Sequence, residues 1–121
     1  MSYVATSSSA IVTTSTGAAT VYSGVHNGLI QTITIACAGT TSTADVVCSA
    51  ETSGAAILTK ANLTKSVTNT FHPRAQAHAV ADGATTSGVV LTKVPLAQDR
   101  IKVVMLGGGN AQSYTVRYFI V

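Results

Sequence analysis

The chain is 121 residues long and 12.2 kDa, one domain's worth of polypeptide, which excludes a multidomain enzyme. Charged residues make up only 9% while 12 Ser and 19 Thr contribute 31 positions, so polarity rests on hydroxyls, and with 46% hydrophobic residues the chain is too apolar to stay disordered. The formal charge of +3 is spread over Lys60, Lys65, Arg74, Lys93, Arg100, Lys102 and Arg117 as single residues, without the cationic cluster and interleaved aromatics of phosphate-backbone binders, which argues against a nucleic-acid partner.

Residues 1–9 show almost no apolar periodicity and read as a flexible arm ending at Ala10, ahead of a single β-sandwich domain over 11–121. The arm has neither a basic cluster nor a signal-type apolar stretch, and no apolar run reaches the roughly 20 residues of a membrane helix. The expectation is a soluble protein made in a cytosol, with no membrane partner. Ala10–Thr14 and Ala19–Ser23 flank Ser15-Thr16-Gly17-Ala18, which reads as a hairpin with Gly17 at positive φ. Asn27-Gly28 is the next turn signal. From there Leu29, Ile33, Ile35 and Cys37 share a face opposite Thr32 and Thr34, the period of two of a half-buried strand.

After a Thr-rich loop at 38–44, Asp45–Glu51 forms a strand with Val46, Cys48 and Ala50 on one face, closed by the turn Ser53-Gly54. A stretch opening at Ala55–Leu58 continues through Val67–Phe71 until His72-Pro73-Arg74 interrupts it, because Pro lacks the ladder donor. Ala75–Ala81 reads as one helical turn. A loop bracketed by Asp82-Gly83 and Ser87-Gly88 leads into Val89–Val94, which Pro95 ends. Arg100–Leu106 and Gln112–Val121 read as a pair joined by Gly107-Gly108-Gly109-Asn110, and apolar groups on both faces of the second mark a central or doubly covered strand. About eight short antiparallel strands with no amphipathic helix give an all-β domain, a sandwich or jelly roll. A sandwich this small leaves edges open, so a partner or sister subunit is expected on at least one of them.

Residues able to carry chemistry are few. His26, His72 and His78 lack the i, i+4 or i, i+2 spacing that places two imidazoles on one face, and Asp45, Glu51, Asp82 and Asp99 sit beside turns, where Asp ordinarily bonds backbone. Gly107-Gly108-Gly109 lacks the Lys of a phosphate loop and precedes a strand instead of a helix. Cys37 and Cys48 form no zinc-type spacing and lie among apolar residues, so two buried thiols are favoured over a disulfide. Surface Ser and Thr together with Tyr3, Tyr22, Tyr114 and Tyr118 suggest a glycan platform as the small-molecule reading. No catalysis, cofactor or metal is expected.

Four pieces carry a family resemblance. They are Thr16-Gly17-Ala18-Ala19-Thr20-Val21-Tyr22 followed by Gly28; Glu51-Thr52-Ser53-Gly54 with Ala56-Ile57-Leu58; Phe71-His72-Pro73-Arg74; and Asp99-Arg100-Ile101-Lys102-Val103-Val104 with Gly108-Gly109-Asn110 and the last strand. In that order the chain, from Thr16 onward, resembles a family of small structural proteins encoded in tailed-bacteriophage genomes. The family has Tyr before Pro-Arg where this chain has Phe71 and an inserted His72. The shared motifs are turns and strand ends, so they speak to fold more than to activity. The resemblance implies a capsid decoration (cement) protein that binds the major capsid protein on the outside of the assembled head and stabilises it, as a homo-oligomer that is frequently a trimer. The alternative it leaves is a head-fibre or tail-associated virion protein with a glycan-binding surface. On this reading the arm, with Ser2, Tyr3, Val4 and Thr6, orders on a capsid strand, and Arg74 and Arg100 fork to carboxylates of a neighbouring subunit.

Overall fold

A computed structural model describes residues 5–37, 43–76 and 91–121. Its strands, in chain order, are β1 (Ala5–Val12), β2 (Ala19–Tyr22), β3 (His26–Ala36), β4 (Asp45–Ala50), β5 (Ala56–Lys60), β6 (Thr68–Phe71), β7 (Arg74–Gln76), β8 (Leu91–Lys93), β9 (Pro95–Asp99), β10 (Ile101–Leu106) and β11 (Ser113–Ile120). One sheet has the order β1-β11-β3-β6, with β9 paired to the first residues of β3, the other has the order β2-β10-β4-β5, and β7 and β8 form a ribbon. Every pairing is antiparallel. The expected all-β sandwich is thus the observed architecture.

The period of two decides what lies inside. Ile33 and Ile35 of β3, Val116 and Tyr118 of β11, Val46 and Cys48 of β4, and Val103 and Met105 of β10 all point inward, and the two sheets bury them in one continuous cluster. Each fully buried Ile or Val contributes roughly 1.5–3 kcal/mol, so this alternation is the main force holding the sheets face to face. β11 lies between β1 and β3, in agreement with its two-sided apolar pattern.

The connections depart from the sequence reading. The turn at 15–18 does not close a hairpin: it carries the chain from β1 in one sheet to β2 in the other, and the glycine loop likewise carries it from β10 to β11. Ala56–Lys60 and Thr68–Phe71 are not one stretch either, since β5 and β6 belong to opposite sheets. Turn chemistry is the same whether a chain reverses within a sheet or crosses between two, so local signals place such turns without telling the two apart. The strand expected before Pro95 does end there, β8 stopping at Lys93, but Pro95 then opens β9. His72-Pro73 does separate β6 from β7. Of the expected helical turn, Ala75 and Gln76 belong to β7, while the remainder, the Asp82–Gly88 loop and residues 38–42 lie outside the described residues.

The largest correction concerns the N-terminus. Ala5–Ala10 is no arm: β1 pairs residue for residue with β11, from Ala5↔Ile120 to Val12↔Ser113, so the domain begins by Ala5. Of its inward positions from Ser7 onward only Ile11 is apolar; Ser7, Ser9 and the following Thr13 carry hydroxyls, and each hydroxyl has a partner. Ser7 Oγ lies 2.9 Å from His26 Nε2. Ser9 donates to the Tyr22 carbonyl at 2.6 Å and accepts the Tyr118 hydroxyl at 3.1 Å, fastening β1 and β11 to the edge of the other sheet. Thr13 donates to the Gly109 carbonyl and accepts the Gln112 N–H.

At this end of the sandwich the two crossing turns meet backbone to backbone. Gly108 donates its N–H to the Gly17 carbonyl at 2.9 Å, and the Tyr114 hydroxyl donates to the Gly108 carbonyl at 2.8 Å. Gly17 has φ +78°, and a Cβ there would lie 2.7 Å from the Gly108 nitrogen. Only a residue without a side chain permits both the conformation and the approach.

Candidate interaction surfaces

β1 is the outermost strand of its sheet, and among the described residues it pairs with β11 alone. The Thr13 N–H bonds the Gln112 carbonyl at 3.0 Å, which fixes the phase of the ladder. The backbone groups of Ser7, Ser9 and Ile11 therefore face β11, and those of Thr6, Ser8, Ala10 and Val12 face away from it. This edge runs for eight residues with no Lys, no Pro and no bulge, the devices that ordinarily guard an edge. The edges of the other sheet are shorter, four residues in β2 and five in β5, and β5 ends in Lys60.

The outward face of the same sheet is laid out by the ladder registers. Phe119 lies between Thr6 and Thr32, Arg117 between Ser8 and Thr34, and Thr115 between Ala10 and Ala36, while Thr70 and Thr68 of β6 continue the last two rows. Three shallow depressions meet on this face. Those of about 320 and 300 Å³ share Arg117, and a third of about 380 Å³ shares Phe119 with the first and Thr34 with the second. At the β3 rim, His72 Nδ1 lies 3.1 Å from the Thr32 hydroxyl, and Arg74 donates to the carbonyls of Gln31 and Pro73 at 3.2 and 2.7 Å. Arg74 stands directly opposite Lys93 in the β7–β8 ribbon, so the basic residues are not all isolated as the sequence suggested.

The opposite end of the sandwich from the glycine contact is held by charge. The buried Asp99 carboxylate accepts the N–H groups of Thr52, Ser53 and Arg100 at 3.0, 3.2 and 2.8 Å. These bonds, the one from Thr52 foremost, hold its carboxyl below the usual range. Arg100 donates Nε to Glu51 and lays its guanidinium over the Tyr22 ring, 3.9 Å from the centroid. Of the residues expected to touch a capsid, Thr6 is on the free edge, Arg74 and Arg100 are engaged within the chain, and Ser2, Tyr3 and Val4 lie outside the described residues.

The tyrosine platform does not assemble. Tyr114 and Tyr118 are buried, Tyr22 is exposed with the Arg100 guanidinium stacked on one ring face, and Tyr3 is outside the described residues. Burial pushes the Tyr118 hydroxyl up to about 12. Cys37 and Cys48 are both buried thiols outside any disulfide, as expected; burial raises both, Cys48 to about 12, which disfavours the reactive thiolate. Ser7 and His26 have the contact distance of a nucleophile and its base, and His26 stands opposite Asp99 in the β3–β9 ladder. The Asp99 oxygens, however, bond the β4–β5 turn, so the described residues do not complete a triad. Among the described residues no three His, Cys, Asp or Glu are grouped to hold a metal.

No family model and no curated protein matches the chain. Among solved structures, a chain from "Structure of infectious bursal disease virus Gx strain" aligns with 98% of this chain at 12% identity and a TM-score of 0.27. The chain spans 36% of that chain's length, and a likeness at this level carries no argument. Sequence reasoning missed both β1 and the outer sheet face: the inward hydroxyls of β1 leave no apolar period to read, and the neighbours of Arg117 come from three distant strands.

Proposed function

We propose that the chain is a virion structural protein, a decoration or cement subunit that docks on the outer surface of an assembled bacteriophage head. It is made in the host cytoplasm, binds the major capsid protein and acts as a homotrimer. The observation that carries this reading is the unguarded β1 edge, whose outward N–H and C=O groups at Thr6, Ser8, Ala10 and Val12 are arranged to receive an extended segment of another chain. The resemblance of the turn motifs to phage structural proteins points the same way. A subunit that binds only the assembled lattice stabilises it by mass action and needs no chemistry of its own. The edge is the primary contact, since Arg100 is already held by Glu51 and Tyr22.

Deleting the chain up to Ile11 would remove most of a paired strand, so the clean test lies on its outward side. Ser8→Pro removes a donor that faces away from β11, and Ala10→Lys adds the kind of charge that guards natural edges. Both variants should remain folded, within about 0.5 kcal/mol of the parent for Ala10→Lys. Mixed with undecorated, expanded heads and imaged by cryo-electron microscopy, the parent should occupy the shell and both variants should leave it bare. Sedimentation should show the parent as a trimer. Undiminished occupancy by both variants rejects the reading.

A further inference from the structure

We infer that the outward face of the β1-β11-β3-β6 sheet is a binding site for a carboxylate-bearing oligosaccharide, with Arg117 as its anion-binding centre. This goes beyond the docking role and does not rest on it, because it uses the face of the sheet and not its edge.

The ladders on either side of β11 consume the backbone groups there, so a ligand lying on the face is recognised by side chains. Those side chains are hydroxyls: Thr6, Ser8, Thr34, Thr70 and Thr115 surround Arg117 and Phe119. Each hydroxyl both donates and accepts, as a sugar hydroxyl does. Along β11 and β3 the backbone is already paired, so an extended peptide could add only at the β1 rim, whereas the centre of the face offers hydroxyls, one guanidinium and one aromatic ring.

Charge fixes the rest of the ligand. Arg117 has Ser8 and Thr34 as its direct cross-strand neighbours, and every described Asp and Glu side chain is committed elsewhere. Asp45 accepts the Asn62 N–H, Glu51 pairs with Arg100, and Asp99 caps the β4–β5 turn. Among the described residues the rim adds positive charge and no acid, since Arg74 and Lys93 face each other across the ribbon, a like-charge placement that costs stability until an anion approaches it. The planar guanidinium of Arg117 matches a carboxylate in bidentate fashion, and Phe119 beside it offers an apolar ring for the C–H face of a sugar. The three depressions, joined through Arg117, Phe119 and Thr34, extend across more than one strand and so suit an oligomer better than a single sugar.

The test is a titration of the intact protein, followed by calorimetry and amide chemical shifts, with tetragalacturonate, maltotetraose as the neutral sugar and a short single-stranded oligonucleotide as the phosphate control. Tetragalacturonate should bind saturably and shift amides of β11 and β3. Arg117→Gln, at an exposed site that leaves the melting temperature unchanged, should weaken it about tenfold or more, the loss of one charge-assisted pair. Lys60→Gln, on the other sheet, should leave it unaltered. Absence of saturable binding, equal affinity of Arg117→Gln, an equal loss in Lys60→Gln, or equally tight binding of maltotetraose or the oligonucleotide would each overturn the inference.

Discussion

The two ends of the sandwich solve the same problem, tying one sheet to the other, with opposite means. At one end Gly17 and Gly108 touch backbone to backbone, and Thr13 and Tyr114 bond the glycine loop. At the other end Asp99 gathers three N–H groups and Arg100 spans Glu51 and Tyr22. The first end has no carboxylate, imidazole, amine or guanidinium in those contacts, so it is indifferent to acid and to salt but intolerant of added volume. The second tolerates shape changes and depends on ionisation. A closure built from backbone is fixed by geometry, whereas one built from a carboxylate is adjustable by solvent.

The strongest way to break this contrast is Gly17→Ala. The new Cβ meets the Gly108 nitrogen at 2.7 Å and the residue must hold φ +78°, so a loss of about 1–3 kcal/mol is expected in urea unfolding, equal at neutral and acid pH. A loss that varies with pH would show that the ends are coupled. Next comes Asp99→Asn, which keeps one acceptor and turns an amide toward N–H donors. The folded carboxyl titrates below its unfolded value of about 3.9, so its contribution is complete above that pH and disappears as pH falls through the lower, folded value. Stability measured from neutral pH down into this acid range should fall in the parent and flatten in Asp99→Asn, while Gly17→Ala runs parallel to the parent. The smallest effect belongs to Glu51→Gln. Its ion pair is exposed, and whatever it contributes should vanish in about 1 M salt, where charges are screened within about 3 Å. Salt should leave the Gly17→Ala difference unaltered.

The sequence showed clearly the strands with an apolar inward face. Ile33 and Ile35, Val46, Cys48 and Ala50, and the double pattern of β11 announce a sandwich because burial and period two coincide there. It hid β1 because Ser7, Ser9 and Thr13 occupy inward positions where hydrogen-bond partners replace apolar packing, and those partners, His26, Tyr22, Tyr118 and Gly109, lie up to 109 residues away. It hid the sheet crossings because Gly17 serves its own turn, at φ +78°, as well as the contact with Gly108, and a Cβ on Gly108 would meet Tyr114 and, from a distant part of the chain, Thr13, so the sequence shows only ordinary turn glycines. The candidate face around Arg117 was illegible for the same reason. Its residues alternate in plain view along β11, but the hydroxyls beside them come into register only through pairings with β1 and β3.

The position of β11 also bears on how the chain is made. The last strand of the domain to leave the ribosome is the one that joins β1 to β3, so that sheet cannot close while translation of the domain is in progress. Closure of this sheet then waits for Ser113–Ile120 to be synthesised and for the slow pairing of distant segments, and a nascent chain stalled before Ser113 leaves β1 and β3 without the strand that joins them.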